Sequence, residues 1–212
     1  MIGDPLILAE KDFKDGEFIS SQMKHNKIVL IGGGSGTKKS EKALALQQFL
    51  FCDKQSSLVI SLDDHYLVHP TVRNYNRKKQ GINSVGIKEI DWIELESIYC
   101  SFKSKDQEMI SFSRTHRFLD ASEYVCISNK NIDVLIIEGL YANYLRKMFS
   151  DNFSVFLEGT PQQTLSFRQL RGKESPDDKF RQQVVQKEFN VVSQLRKYAD
   201  LIIPFETVNC IK

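Results

Sequence analysis

Between residues 33 and 40 the chain reads Gly-Gly-Ser-Gly-Thr-Lys-Lys-Ser, a cluster of small residues closed by two lysines and a hydroxyl. Small side chains let consecutive backbone N–H groups curl around an anion, and a helix that opens directly afterwards adds the positive end of its dipole at the same point. Against the phosphate-loop pattern Gly33 is the first glycine, Lys39 the lysine that meets the outer phosphates and Ser40 the hydroxyl that faces Mg²⁺. Gly34, Ser35, Gly36, Thr37, Lys38 and Glu41 complete the candidate nucleotide-binding stretch. One position departs from the pattern, because Lys38 stands where glycine is expected. A left-handed backbone there would strain a lysine by about 1 kcal/mol, whereas an ordinary backbone makes Lys38 one more cation at the mouth. A flexible turn is the competing reading; it accounts for the glycines but not for the apolar run before them or the Lys-Ser pair after them.

Such a loop needs a buried strand before it and a helix behind it. Ile28 to Ile31 supplies the first, and Glu41 to Phe51, with Ala43, Leu46, Phe49 and Leu50 at helical spacing, supplies the second. Ser57 to Leu62 reads as another strand and delivers Asp63-Asp64-His65-Tyr66 at its end; Asp133 to Ile137, continuous and β-branched, delivers Glu138-Gly139. Val155 to Leu157 and Leu201 to Ile203 are further strands, and helices are expected over 6–23 (peripheral, weakened by Gly16), 91–102, 161–170 and 178–198. The alternation predicts an α/β fold, a doubly wound parallel sheet of the phosphate-loop type flanked by helices, in a single domain over 1–212. Two short strands within about 108–128, flanking Arg114 to Arg117, read as an inserted hairpin, and the basic stretch 70–86 as a solvated helix.

Parallel sheets of this kind gather their strand ends on one rim, so Asp63 and Glu138 are expected beside the loop. There Asp63 suits the base that takes a proton from an incoming hydroxyl, and Glu138 an anchor for the metal through its waters. By local sequence alone Asp63 is equally a helix cap or turn residue, and a turn carboxylate before Gly139 is the competing, lesser reading of Glu138. Arg168 and Arg171, three apart on one helix face with Lys173 behind, suit a lid over transferring phosphates at about 165–185, or else a basic helix end exposed to water.

Composition narrows the class. With 212 residues, 41% hydrophobic and 26% charged, and a formal charge of +2, nothing demands nucleic acid. The sequence shows no membrane-length apolar run and no secretory leader pattern, so a cytoplasmic protein is expected, with neither membrane nor nucleic acid as partner. Cys52, Cys100, Cys126 and Cys210 are scattered, without zinc or disulfide spacing. His65 and His69 lie four apart, but Pro70 argues against a helix that would align them on a metal.

Taken together, these blocks resemble the uridine kinase and phosphoribulokinase family of phosphate-loop kinases, and most closely its bacterial uridine kinases. The resemblance runs through Lys39-Ser40-Glu41, Asp63 with Tyr66, Asn83 to Gly86 leading to Asp91-Trp92, Leu135 to Ala142, Leu170 to Glu174, Phe180-Arg181, Glu188 and Ala199 to Leu201. It implies ATP with Mg²⁺, transfer of the γ-phosphoryl group to a small-molecule hydroxyl, most simply the 5′-hydroxyl of uridine or cytidine, and often a homo-oligomer. By position it makes Asp63 the general base, with Lys39, Arg168 and Arg171 around the phosphates. Tyr66, Phe112, His116 and Arg117 are the counterparts of acceptor-pocket residues, although the spacing of Phe112 and His116 differs. Two alternatives stand beside this reading: a nucleotide-binding protein whose Lys38 impairs or abolishes transfer, and a kinase of another small alcohol.

Overall fold

The apolar run before the glycines forms β1 (Ile28–Gly33), buried at every residue and central in a five-stranded sheet. The architecture is that of a computed structural model, which describes residues 2–3, 5–104, 107–119, 121–172 and 178–205. The sheet order is β2-β5-β1-β6-β7, with β2 at Ser57–Ser61, β5 at Val134–Glu138, β6 at Phe153–Glu158 and β7 at Leu201–Pro204. Every pairing is parallel, so all five strands end on the same rim. In register, Ile31 of β1 lies beside Glu138 of β5, and Ser61 of β2 lies beside Glu138 from the other side.

Successive β residues point to opposite faces, and each face carries its own core. Val29, Ile31, Val134 and Ile136 pack with α1 (Glu10–Met23) and α2 (Lys39–Cys52); Ile28, Leu30, Leu135 and Ile137 pack with α4 (Trp92–Ser104) and with Val192 of α6 (Lys179–Ser193). Both faces being covered explains why β1 and β5 are continuously apolar rather than alternating. The remaining helices are α3 (Pro70–Gln80) and the short α5 (Leu165–Leu170). The antiparallel hairpin of β3 (Met109–Thr115) and β4 (Ser122–Ser128) forms a separate two-stranded sheet. Asp64 docks it beside the rim by accepting a hydrogen bond from Thr115 N at 3.1 Å.

Two local expectations change. Gly16, which weakens the first helix as a sequence pattern, lets α1 lie close against α2: a Cβ there would stand 2.8 Å from the Ala45 carbonyl carbon and the Leu46 amide nitrogen. The helix begins at Glu10 and is held on the core by Ile19 and Met23. The basic stretch after Pro70 is not wholly solvated, because Arg77 is 2% exposed. Its Nε and Nη2 donate to the two oxygens of Glu89, each at 2.7 Å, and Nη1 donates to Glu188 at 3.1 Å. A bidentate carboxylate together with a second acid lets a guanidinium leave water here.

Candidate active site

The rim where the strands end opens into a cavity of about 540 Å³. Ser35, Gly36, Lys38, Lys39 and Ser40 line it from the loop, Asp63 from the turn after β2, Glu138 from β5, and Arg168 and Arg171 from α5 and its C-cap. Residues separated by more than a hundred positions therefore share one space, because parallel strands deliver them to one edge.

The loop is shaped from within. Gly33 (φ 147°) and Gly36 (φ 82°) have positive φ, and a Cβ on Gly36 would come within 2.7 Å of Arg168 Cγ. The Thr37 hydroxyl donates to the Gly34 carbonyl at 2.9 Å, and the Lys39 ammonium donates to the same oxygen at 2.8 Å, spanning the loop. Lys38 does have left-handed backbone (φ 66°, ψ 35°), so it occupies the conformation for which glycine is the usual choice. Its side chain turns away from the loop and pairs, buried, with Asp12 of α1. Asp12 also takes Lys42 at 2.6 Å, and Lys42 reaches Asp15 at 2.5 Å. Burial alone would raise the Asp12 carboxyl, but hydrogen bonds from Lys38 and Lys42 outweigh it and hold the group below its usual value. Lys38→Gly is accordingly expected to leave the affinity for a non-hydrolysable ATP analogue within about twofold, since it relieves backbone strain and removes no group aimed at the loop. Calorimetric titration of both proteins checks this.

Ser40 and Ser61 both donate to Glu138 Oε1, at 3.1 and 2.7 Å. Burial, and then the charge of Asp63, push the Glu138 carboxyl upward, with Lys39 and Ser61 opposing. The adjacent Asp64 faces the hairpin, so the two neighbouring aspartates divide the work: one faces the cavity and the other holds β3. Arg168 is 3% exposed, and its Nη1 donates to the Pro161 carbonyl at 2.9 Å and to the Thr164 hydroxyl. Arg171 lies 3.7 Å from Glu41, which is fully buried and also accepts from Ile7 N at 3.3 Å.

Other expected residues are placed differently. Gly33, Gly34, Thr37 and Glu41 do not line the cavity; they form the body of the loop and its support. Tyr66 and Arg117 do line it. Phe112, 5% exposed, is instead part of the core beneath the hairpin, since alternation along β3 turns it inward with Ile110. His116 is also off the cavity wall; its carbonyl accepts from His69 Nε2 at 3.2 Å. His65 and His69 form no metal pair: His65 Nδ1 meets Glu94 at 2.8 Å, and His69 caps α3, accepting from Thr71 N. Cys52, Cys100 and Cys126 are free thiols; Cys210 and Lys173 lie outside the described residues, as does 173–177 of the expected lid. Arg73, Asp178, Arg181 and Glu188 line the cavity without having been singled out as site residues, because a charge run carries no mark of which member faces inward. A second cleft, of about 340 Å³, lies behind the loop, lined by Phe156, Gly159, Thr160, Phe189 and Phe205.

No protein-family model matches the sequence, and no curated protein matches it significantly. Solved structures do match its shape. A candidate fructose transport system kinase from Silicibacter sp. TM1040 superposes with a TM-score of 0.63 at 17% identity, over 90% of this chain and 98% of that one. D-glycerate 3-kinase from Cryptococcus neoformans gives 0.61 at 14% identity, over 94% and 98%. A possible uridine kinase from Bacillus stearothermophilus gives 0.58 at 17% identity, over 91% and 96%. The chain has the phosphate-loop kinase fold. Within that fold the position of the glycine-rich loop, between β1 and α2, is the one the sequence pattern requires. The three kinases are named for different acceptors, so likeness of the kinase fold leaves the acceptor open. Among the described residues, no helix is long and apolar enough to cross a membrane.

Proposed function

We propose that the protein is an ATP-dependent kinase of a small-molecule alcohol. The observation that carries this reading is the sharing of one cavity by the loop residues Lys39 and Ser40, by Asp63 and Glu138 from the ends of β2 and β5, and by Arg168 and Arg171. Phosphoryl transfer asks a protein for positioning, charge compensation and a base, and these residues supply each. The loop amides and Lys39 hold the terminal phosphates; Asp63 accepts the proton of the acceptor hydroxyl as its oxygen attacks phosphorus; Arg168 and Arg171 offset the charge carried by the phosphoryl oxygens. The aromatic cleft behind the loop, with Phe189 and Phe205, offers apolar surface for the nucleotide base.

The donors on this rim fit Mg²⁺. Ser40 and Glu138 present hard oxygen atoms at one point, and no group of three or more His, Cys, Asp or Glu side chains suited to a metal exists among the described residues. Mg²⁺ is commonly held by one or two protein oxygens together with substrate phosphates and water, and it neutralises phosphate charge when bound. Ser40 and Glu138 would hold it. The segment 165–185 acts as the lid in this reading, and a single domain spans the chain.

The second reading, a nucleotide binder impaired by Lys38, loses support from that side chain's pairing with Asp12, away from the loop. Lys39→Ala separates the kinase reading from a mere glycine turn. It is expected to weaken binding of a non-hydrolysable ATP analogue by about tenfold or more, as loss of a charge-assisted contact does. Equal binding by calorimetry would remove the phosphate-loop assignment. Detection of ADP and of a phosphorylated product from a panel of alcohols, uridine and cytidine included, tests transfer itself.

A further inference from the structure

The acceptor end of the cavity is charged where a nucleoside pocket would be aromatic. Arg73 of α3, Arg181 of α6 and Arg117 after β3 all line it, on elements separate from those that carry Lys39, Arg168 and Arg171. Tyr66 packs against the core, and its ring carries the Arg73 guanidinium, whose Cζ is 3.5 Å from the ring centroid. Phe112 is in the core and His116 is off the wall, so neither offers a face for a base to stack on.

Two of these guanidiniums, those of Arg73 and Arg181, are incompletely answered. Arg73 Nε and Nη1 and Arg181 Nε are buried atoms with no hydrogen-bond partner among the described residues. The nearest acid of α6, Glu188, turns Oε1 to Arg77 Nη1 at 3.1 Å and stands 4.0 Å from Arg181 Nη1. Glu89 is fully engaged by Arg77 through both oxygens. Buried guanidinium nitrogens without acceptors are costly in isolation, and a planar fork of donors matches a phosphate or carboxylate. Glu188 Oε2, likewise without a hydrogen-bond partner among the described residues, suits a further hydroxyl of the same molecule.

Resting on the kinase reading, we propose that the alcohol phosphorylated here carries its own anionic group, a phosphate monoester or a carboxylate, which Arg73 and Arg181 bind. A neutral nucleoside would leave their nitrogens unanswered. Arg73 and Arg181 are acceptor-binding residues, and they select against uncharged alcohols rather than taking part in transfer.

Filling the phosphate loop first isolates the acceptor subsite. The full chain is saturated with Mg²⁺ and the non-hydrolysable analogue AMP-PNP, then titrated calorimetrically with inorganic phosphate and, separately, with acetate. Binding of one anion is expected. A preference for phosphate assigns a phosphorylated acceptor, and a preference for acetate a carboxylated one. Arg73→Gln is expected to weaken that binding by about tenfold or more, with Arg73→Lys restoring part of it. An unchanged affinity of the Gln variant for AMP-PNP shows that it is folded. The proposal is overturned if the loaded protein binds neither anion, if Arg73→Gln and Arg181→Gln both bind as the parent does, or if uridine is phosphorylated faster than every anionic alcohol tried. Absence of AMP-PNP binding by the parent protein would overturn the kinase reading itself, and this proposal with it.

Discussion

Asp63→Asn should lower the phosphoryl-transfer rate by about 10²- to 10⁴-fold, the range in which a positioned general base contributes. The substitution keeps the shape and polarity of the side chain at the end of β2 but removes its capacity to take a proton. The loop is braced from within by Thr37, by Lys39 and by close packing around Gly36. Affinity for AMP-PNP is therefore expected to persist while turnover falls. Asp63 raises the Glu138 carboxyl through its charge, so the variant also relieves one carboxylate repulsion on the rim. Steady-state rates of ADP release with a competent acceptor provide the measurement. A rate within tenfold of the parent would mean that the proton leaves by another route, and Asp63 would lose its role.

Asp12→Ala should lower stability by about 3 kcal/mol, which for a chain of this size corresponds to a melting temperature lower by roughly 6–12 °C. Asp12 is 1% exposed and compensates two lysines. Lys42 retains Asp15 at 2.5 Å when Asp12 is lost, but Lys38, itself 8% exposed, does not. The residue left without its counter-ion is the one with left-handed backbone at the start of α2, so weaker AMP-PNP binding should accompany the loss of stability. The pH dependence has a definite sign. A carboxyl held below its usual value contributes stability that is complete above the unfolded-state pKa, near 3.9, and is lost as pH falls through the lower folded-state value. Parent and variant should thus differ fully at neutral pH and converge only in acid below about pH 4. A difference in melting temperature that persisted unchanged to pH 2 would contradict this account of the pair.

The sheet was legible because its central strands are buried on both faces and so spell unbroken apolar runs rich in β-branched residues: Ile28 to Ile31 and Val134 to Ile137 leave little room for another reading. The loop was legible because glycine at positive φ and the Lys-Ser pair are demanded by local backbone and charge. What escaped depended on partners far along the chain. Arg77 lies in a run of basic residues that looks solvated until Glu188, more than a hundred residues later, is seen to face it. Gly16 looks like a helix weakness until the backbone of α2 is seen against it. The direction taken by Lys38 is set by Asp12, on a helix whose sequence gives no hint of serving the loop. Phe112 was expected in the acceptor pocket as the counterpart, by resemblance, of a pocket aromatic; the two-residue alternation of β3 decides otherwise, placing it among core residues.

Most chains satisfy a left-handed backbone position with a residue that has no side chain to accommodate. Here the same requirement is met by a pair of residues 26 positions apart, so a local conformational need has become a long-range chemical one. Loss of the acid at position 12 is penalised for as long as a lysine stands at 38 and is open once glycine replaces it, because Lys42 keeps Asp15; the acid should therefore persist wherever the lysine does.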